Sequence, residues 1–187
     1  MANPQSTAKI AGHPIHPMLI PFPVAFFVSA FICDLAFWVT SNAAWSTAAI
    51  WLIGAGIVMA LLAALAGLTD VVGDRRIRDL RDVWWHAGGN VLVVLIQIYN
   101  WYSRFEHGSA AILLVGVILS LIVVGILLFT GWKGWEMVYR HRVGVADDTG
   151  VGPGSTIPAE PSPAAQGSLT ARLKQHRSAC GFIGATV

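Results

Sequence analysis

Apolar positions gather in four long runs, residues 18–39, 44–68, 83–102 and 110–132. Each is close to the roughly 20 residues that cross ~30 Å of hydrocarbon at about 1.5 Å per residue. The pattern predicts an all-α, polytopic membrane protein, a four transmembrane helix bundle. The first run is too long for a signal-peptide core and only Lys9 precedes it, so it stays as a membrane helix. Between the second and third runs stand Arg75, Arg76, Arg78 and Arg81, whereas residues 40–43 carry no charge and the third connection only Arg104 and Glu106. Arginine-rich connections stay in the cytoplasm. Lys133, Arg140 and Arg142 follow the fourth run, so four spans with both termini cytoplasmic satisfy the same bias. Trp38, Trp45, Trp101 and Tyr102 then mark the outer interface, and Trp84, Trp85, Trp132 and Trp135 the inner one. After Val145 the chain turns to Ala, Asp, Gly, Pro, Ser and Thr, which cannot bury enough apolar area to offset chain ordering. The expected organisation is an N-terminal segment over 1–17, a four-helix membrane domain over 18–145 and a disordered cytoplasmic tail over 146–187. No repeat of fixed length stands out.

Composition agrees. Of the 187 residues 55% are hydrophobic and 12% charged, with a mean hydropathy of +0.63, which excludes an ordinary soluble domain. A net charge of +2 leaves no basic surface for phosphates, so no nucleic acid is expected as a partner. Cys33 and Cys180 lie in unlike surroundings and form no CxxC motif.

Polar residues inside apolar runs demand partners, and their spacing says which way they face. Gly56, Ala60, Ala63 and Gly67 share one face of the second helix, a stripe that admits another backbone, and Asp70 continues it toward the bundle's cytoplasmic end. His86, Asn90 and Gln97 share a face of the third helix, which should look inward. In Gly12-His-Pro-Ile-His-Pro17 each proline disfavours helix at the residue before it, so His13 and His16 are expected in extended backbone. Glu136 and His141 follow the fourth run. With His13, His16, Asp70 and His86 they make six ionisable side chains on the cytoplasmic face. At the other end Asp34 and Arg104 lie at similar depth, roughly 25–27 Å from the cytoplasmic ends of the first and third helices, so they are expected to pair as a structural clasp.

Several ordered motifs occur together: His13-Pro-Ile-His-Pro17, Phe22-Pro-Val24, Gly67-Leu-Thr-Asp70, His86 with Asn90, and Gly131-Trp-Lys-Gly-Trp-Glu-Met-Val-Tyr-Arg-His141 before Val143-Gly-Val145. Over about residues 11–145 they resemble a bacterial membrane family, domain of unknown function 2231. The resemblance implies a four-helix membrane module in the bacterial cytoplasmic (inner) membrane. Members fused to Rieske iron-sulfur or cytochrome c domains imply work beside an electron-transfer chain. Trp135 and Arg142 stand where that family is expected to carry glycines.

Two classes of function follow. One is a redox-associated module binding haem b, quinone or a transition metal through the cytoplasmic histidines. For haem or quinone the candidates are His13, His16, His86, Asn90 and His141, with His86 the first axial ligand and His16 or His141 opposite. For a metal they are His13, His16, His86 and Asp70. Asp34, Arg104, Gln97 and Glu136 are the structural polar set. The other class is a non-enzymatic membrane anchor or assembly subunit, with a small transporter third. The expected partners are the lipid bilayer and an electron-transfer protein or quinone. No Ser/His/Asp order, phosphate loop or HExxH motif points to independent catalysis.

Overall fold

The computed structural model describes residues 3–145, with only the backbone of Leu114; the tail expected over 146–187 lies outside the described residues. Strand β1 (Lys9–Ile10) pairs antiparallel with β2 (His13–Pro14), and Ala11 and Gly12 turn between them at φ of 49° and 83°. A two-residue hairpin turn of this kind needs positive φ, which glycine adopts freely and alanine only at a cost.

Helix α1 (Ile15–Leu19) follows at once and leads into α2 (Pro21–Thr40). Pro21 has no amide hydrogen, which interrupts the helical ladder there, while its place at the start of α2 costs nothing because first-turn amides lack helical partners anyway. Extended backbone was expected at both histidines, and only His13 has it. His16 is helical: its carbonyl accepts from the Ile20 amide at 3.2 Å, and the penalty before Pro17 is offset by what its ring gains below.

Ser41 ends α2 in the left-handed region (φ 54°), with its amide on the Phe37 carbonyl at 2.7 Å. The Asn42 side chain then caps α3 (Ala43–Gly73) by accepting from the Ala44 amide at 3.0 Å. Asp74 closes α3 and caps the short α4 (Arg75–Arg78). Its carboxylate takes the Arg76 guanidinium at 2.8 Å and the amides of Arg76 and Gln5. The Arg76 side chain, above all, holds its pKa down at about 2. Helix α5 (Arg81–His107) passes through a 3₁₀ turn (Gly108–Ala111) and a π turn (Ile112–Gly116) into α6 (Val117–Tyr139).

The four long helices close a ring in which α2 packs on α3 and α6, and α5 packs on α6 and α3. Phe27, Val93 and Val123 fill its centre. Two glycines bring helices close: a Cβ on Gly56 would run into the Phe27 ring, and one on Gly89 into the Thr130 methyl.

Three helical stretches, Ile15–Thr40, Ala43–Gly73 and Val117–Tyr139, are long and apolar enough to cross a membrane. Four spans were expected from the apolar runs, and α5 does not meet the same standard. Its residues Gln97, Asn100 and Arg104 are buried in the bundle while Trp84, Val91, Leu95, Ile98 and Phe105 are exposed. The buried polar residues lower its mean hydropathy, while its exposed positions from Trp84 to Phe105 are apolar or aromatic apart from Gly88.

Candidate functional site

At the end of the bundle that carries the N-terminal hairpin, two imidazoles from opposite helices come together. His16 Nδ1 lies 2.7 Å from the carbonyl oxygen of Ala63 on α3, and His86 Nδ1 lies 2.8 Å from that of Thr130 on α6. A carbonyl only accepts, so each Nδ1 donates its hydrogen, which in a neutral ring leaves the lone pair on Nε2. Both rings lie over a glycine: a Cβ on Gly67 would be 3.0 Å from His16 Nδ1, and one on Gly134 would be 3.3 Å from His86 Cε1. The ring centres are 6.1 Å apart and the planes nearly perpendicular, at 80°. Both rings line a cavity of ≈ 490 Å³ whose walls are otherwise mostly apolar, including Val24, Leu61, Leu68 and Val91. Those four side chains are also exposed on the flank of the bundle, so the cavity opens sideways.

The other expected site residues are held by other partners, although Asp70 and Asn90 also line this cavity. His13 is exposed on the hairpin, its Nδ1 3.0 Å from the Ala11 carbonyl. Asp70 is buried, and its Oδ1 accepts from the Ser6 hydroxyl (2.8 Å), the Thr7 amide (2.7 Å) and the Ala8 amide (2.8 Å). That carboxylate holds the N-terminal segment. Asn90 lines the cavity and donates to the His86 carbonyl at 2.7 Å, which ties it to its own helix. His141 Nε2 meets Asp82 at 3.3 Å; Lys133 bridges Asp82 and Glu136 at 3.1 and 2.6 Å. Of the histidines proposed from the sequence, only His16 and His86 form a ring pair. Among the described residues no three His, Cys, Asp or Glu side chains are grouped to hold a metal ion.

The far end holds a second polar cluster. The Asp34 carboxylate takes both terminal nitrogens of Arg104, at 2.7 and 2.8 Å, with both side chains wholly buried. Ser120 on α6 donates to Asp34 at 2.7 Å, and Arg104 Nε donates to Asn100 Oδ1 at 3.1 Å. Sequence reasoning missed Asn100 and Ser120, although Asn100 stands one turn before Arg104 and was detectable by that spacing. The chain of donors fixes each amide. Arg104 claims the Asn100 oxygen, so the Asn100 NH₂ group turns to the Gln97 oxygen at 3.2 Å, and the Gln97 nitrogen is left buried without a partner. The π turn passes over the guanidinium, for a Cβ on Gly116 would be 3.3 Å from Arg104 Nη2.

Long apolar helices around an inward-facing histidine pair and a buried ion pair define a helical membrane protein with a polar interior. The chain belongs to the family described as predicted membrane protein (DUF2231), whose model matches residues 12–147. No curated protein and no solved structure matches it.

Proposed function

We propose that the protein is a redox-associated membrane module in which His16 and His86 hold the iron of a b-type haem. The observation that carries this reading is the pair of Nδ1–H groups donated to backbone carbonyls. A second hydrogen bond of that kind fixes the orientation of a metal-binding imidazole and raises the basicity of its free nitrogen. A bare metal ion needs a third and usually a fourth side chain. Haem iron needs only two axial ligands from the protein, because the macrocycle supplies the rest. The apolar walls of the cavity suit a flat apolar ring, and imidazoles from separate helices are the usual way a bundle supplies such ligands.

A quinol is the second reading, favoured by the sideways opening. A neutral Nε2 accepts a hydrogen bond from a hydroxyl, and a cavity open on the flank admits a ligand carried in the bilayer. In both readings α5 is the fourth span: its 27 residues reach about 40 Å, with the apolar face outward. The arginines of 75–81 support a cytoplasmic histidine end and cytoplasmic termini, and an electron-transfer partner would then dock from that side.

The test of the ligand is a reduced-minus-oxidised absorption spectrum of detergent-purified protein, with iron measured on the same sample. We expect b-type bands that His86→Ala abolishes. A stable preparation without haem but with co-purified quinone selects the second reading; one with neither overturns both and leaves a non-enzymatic anchor or assembly subunit. Orientation is tested by cysteine labelling from outside intact cells. A cysteine at Asn42 should react and one at the exposed Arg75 should not, and the reverse result would turn the histidine end outward.

A further inference from the structure

The two histidines are held by the same device. His16 bonds the carbonyl of Ala63 and lies on Gly67, four residues on; His86 bonds the carbonyl of Thr130 and lies on Gly134, also four residues on. The agreement extends along the helices. Counted from His16, the positions +7, +11, +14 and +18 on α2 are Pro23, Phe27, Ala30 and Asp34, all buried. Counted from His86, the same steps on α5 give Val93, Gln97, Asn100 and Arg104, also all buried. Counted back from Gly67, steps of 4, 11, 14 and 18 reach Ala63, Gly56, Ile53 and Ala49; from Gly134 they reach Thr130, Val123, Ser120 and Gly116, and all eight are buried. One helical hairpin occurs twice, α1–α2–α3 and α5–α6, with its partner helix in the same register.

Residues at equivalent positions of two such copies meet only on the axis that relates them. Two equivalent pairs do meet: His16 with His86, and Asp34 with Arg104. The axis therefore runs along the bundle through both pairs. It is the parallel arrangement, in which both copies enter the membrane from the same side.

We propose that the membrane domain is a duplicated hairpin and that His16 and His86 are equivalent half-sites for one ligand on the axis. This rests on the haem reading for the ligand's identity, and it adds that the Nε2 atoms of His16 and His86 would hold the group alike, neither histidine being dominant. Asn90 has no polar counterpart in the first copy, where the equivalent position is Ile20 between α1 and α2, so it is not part of the repeated site.

The test uses the full chain, ¹⁵N-labelled at histidine, in detergent, with added hemin as the probe. In the hemin-free protein both His16 and His86 should give the Nδ1–H tautomer. Hemin should move both Nε2 signals together and leave those of His13 and His141 in place. His16→Gly and His86→Gly should each convert the low-spin spectrum to high-spin, with free imidazole restoring both. If only one variant changes the spectrum, the half-sites are not equivalent, although haem binding stands. If hemin moves neither signal, the haem reading fails. The duplication then still has its own readout: Gly67→Ala and Gly134→Ala should disturb the tautomer of His16 and His86 respectively to a similar extent. A response in one ring alone would overturn the equivalence without reference to any ligand.

Discussion

Asp34→Asn should lower stability by about 3–5 kcal/mol, the usual cost of removing one member of a buried ion pair and leaving the other charge uncompensated. Both side chains are wholly buried, and Arg104 has no other carboxylate among its hydrogen-bond partners. Arg104→Gln should cost a similar amount, because the Asp34 carboxylate would keep only Ser120 of its present partners. The decisive measurement is the double variant in detergent thermal unfolding. Coupling predicts that it loses less than the two single losses summed. Full additivity would show that the pair is not a clasp, and Asp34 would then need another role, with proton movement the natural one.

Gly56→Val should cost about 1–3 kcal/mol through overpacking, since even a Cβ there runs into the Phe27 ring at the centre of the bundle. Adding Phe27→Leu should recover part of that loss, although Phe27→Leu alone destabilises. Gly88 is the control. A Cβ on Gly88 meets nothing within 4 Å, so Gly88→Ala should be neutral or stabilising by up to about 1 kcal/mol from helix propensity alone. Equal behaviour of the two glycines would mean that α2 and α3 do not approach as closely as the Phe27–Gly56 contact requires.

Depth was readable from the sequence and direction around each helix only in part. Counting residues placed Asp34 level with Arg104, and the two meet. Counting also placed six ionisable groups at the other end, yet it could not say which helix neighbours which: only His16, Asp70 and His86 of the six line the cavity, and only the two histidines form a ring pair. His13 is taken away by the left-handed turn at Ala11 and Gly12, and the Asp70 Oδ1 is claimed by amides from residues 7 and 8, backbone groups that no side-chain pattern displays. α5 was found by its apolar run, while its polar interior face was seen at His86, Asn90 and Gln97 and missed at Asn100. The repeat escaped for a different reason. Its copies share geometry rather than residues, with Phe27 answering Gln97 and Asp34 answering Arg104, and the distance from the histidine to the glycine is 51 residues in one copy and 48 in the other.

The grip of Asp70 on residues 6–8 also sets an order for biosynthesis. The partners are 62 to 64 residues apart, so the beginning of the chain has nothing to close upon until α3 is complete. The first hairpin is therefore made before its own N-terminus is fastened. Until then the buried end of α3 lacks its donors, and the latch is the step that converts an inserted hairpin into a finished half of the bundle.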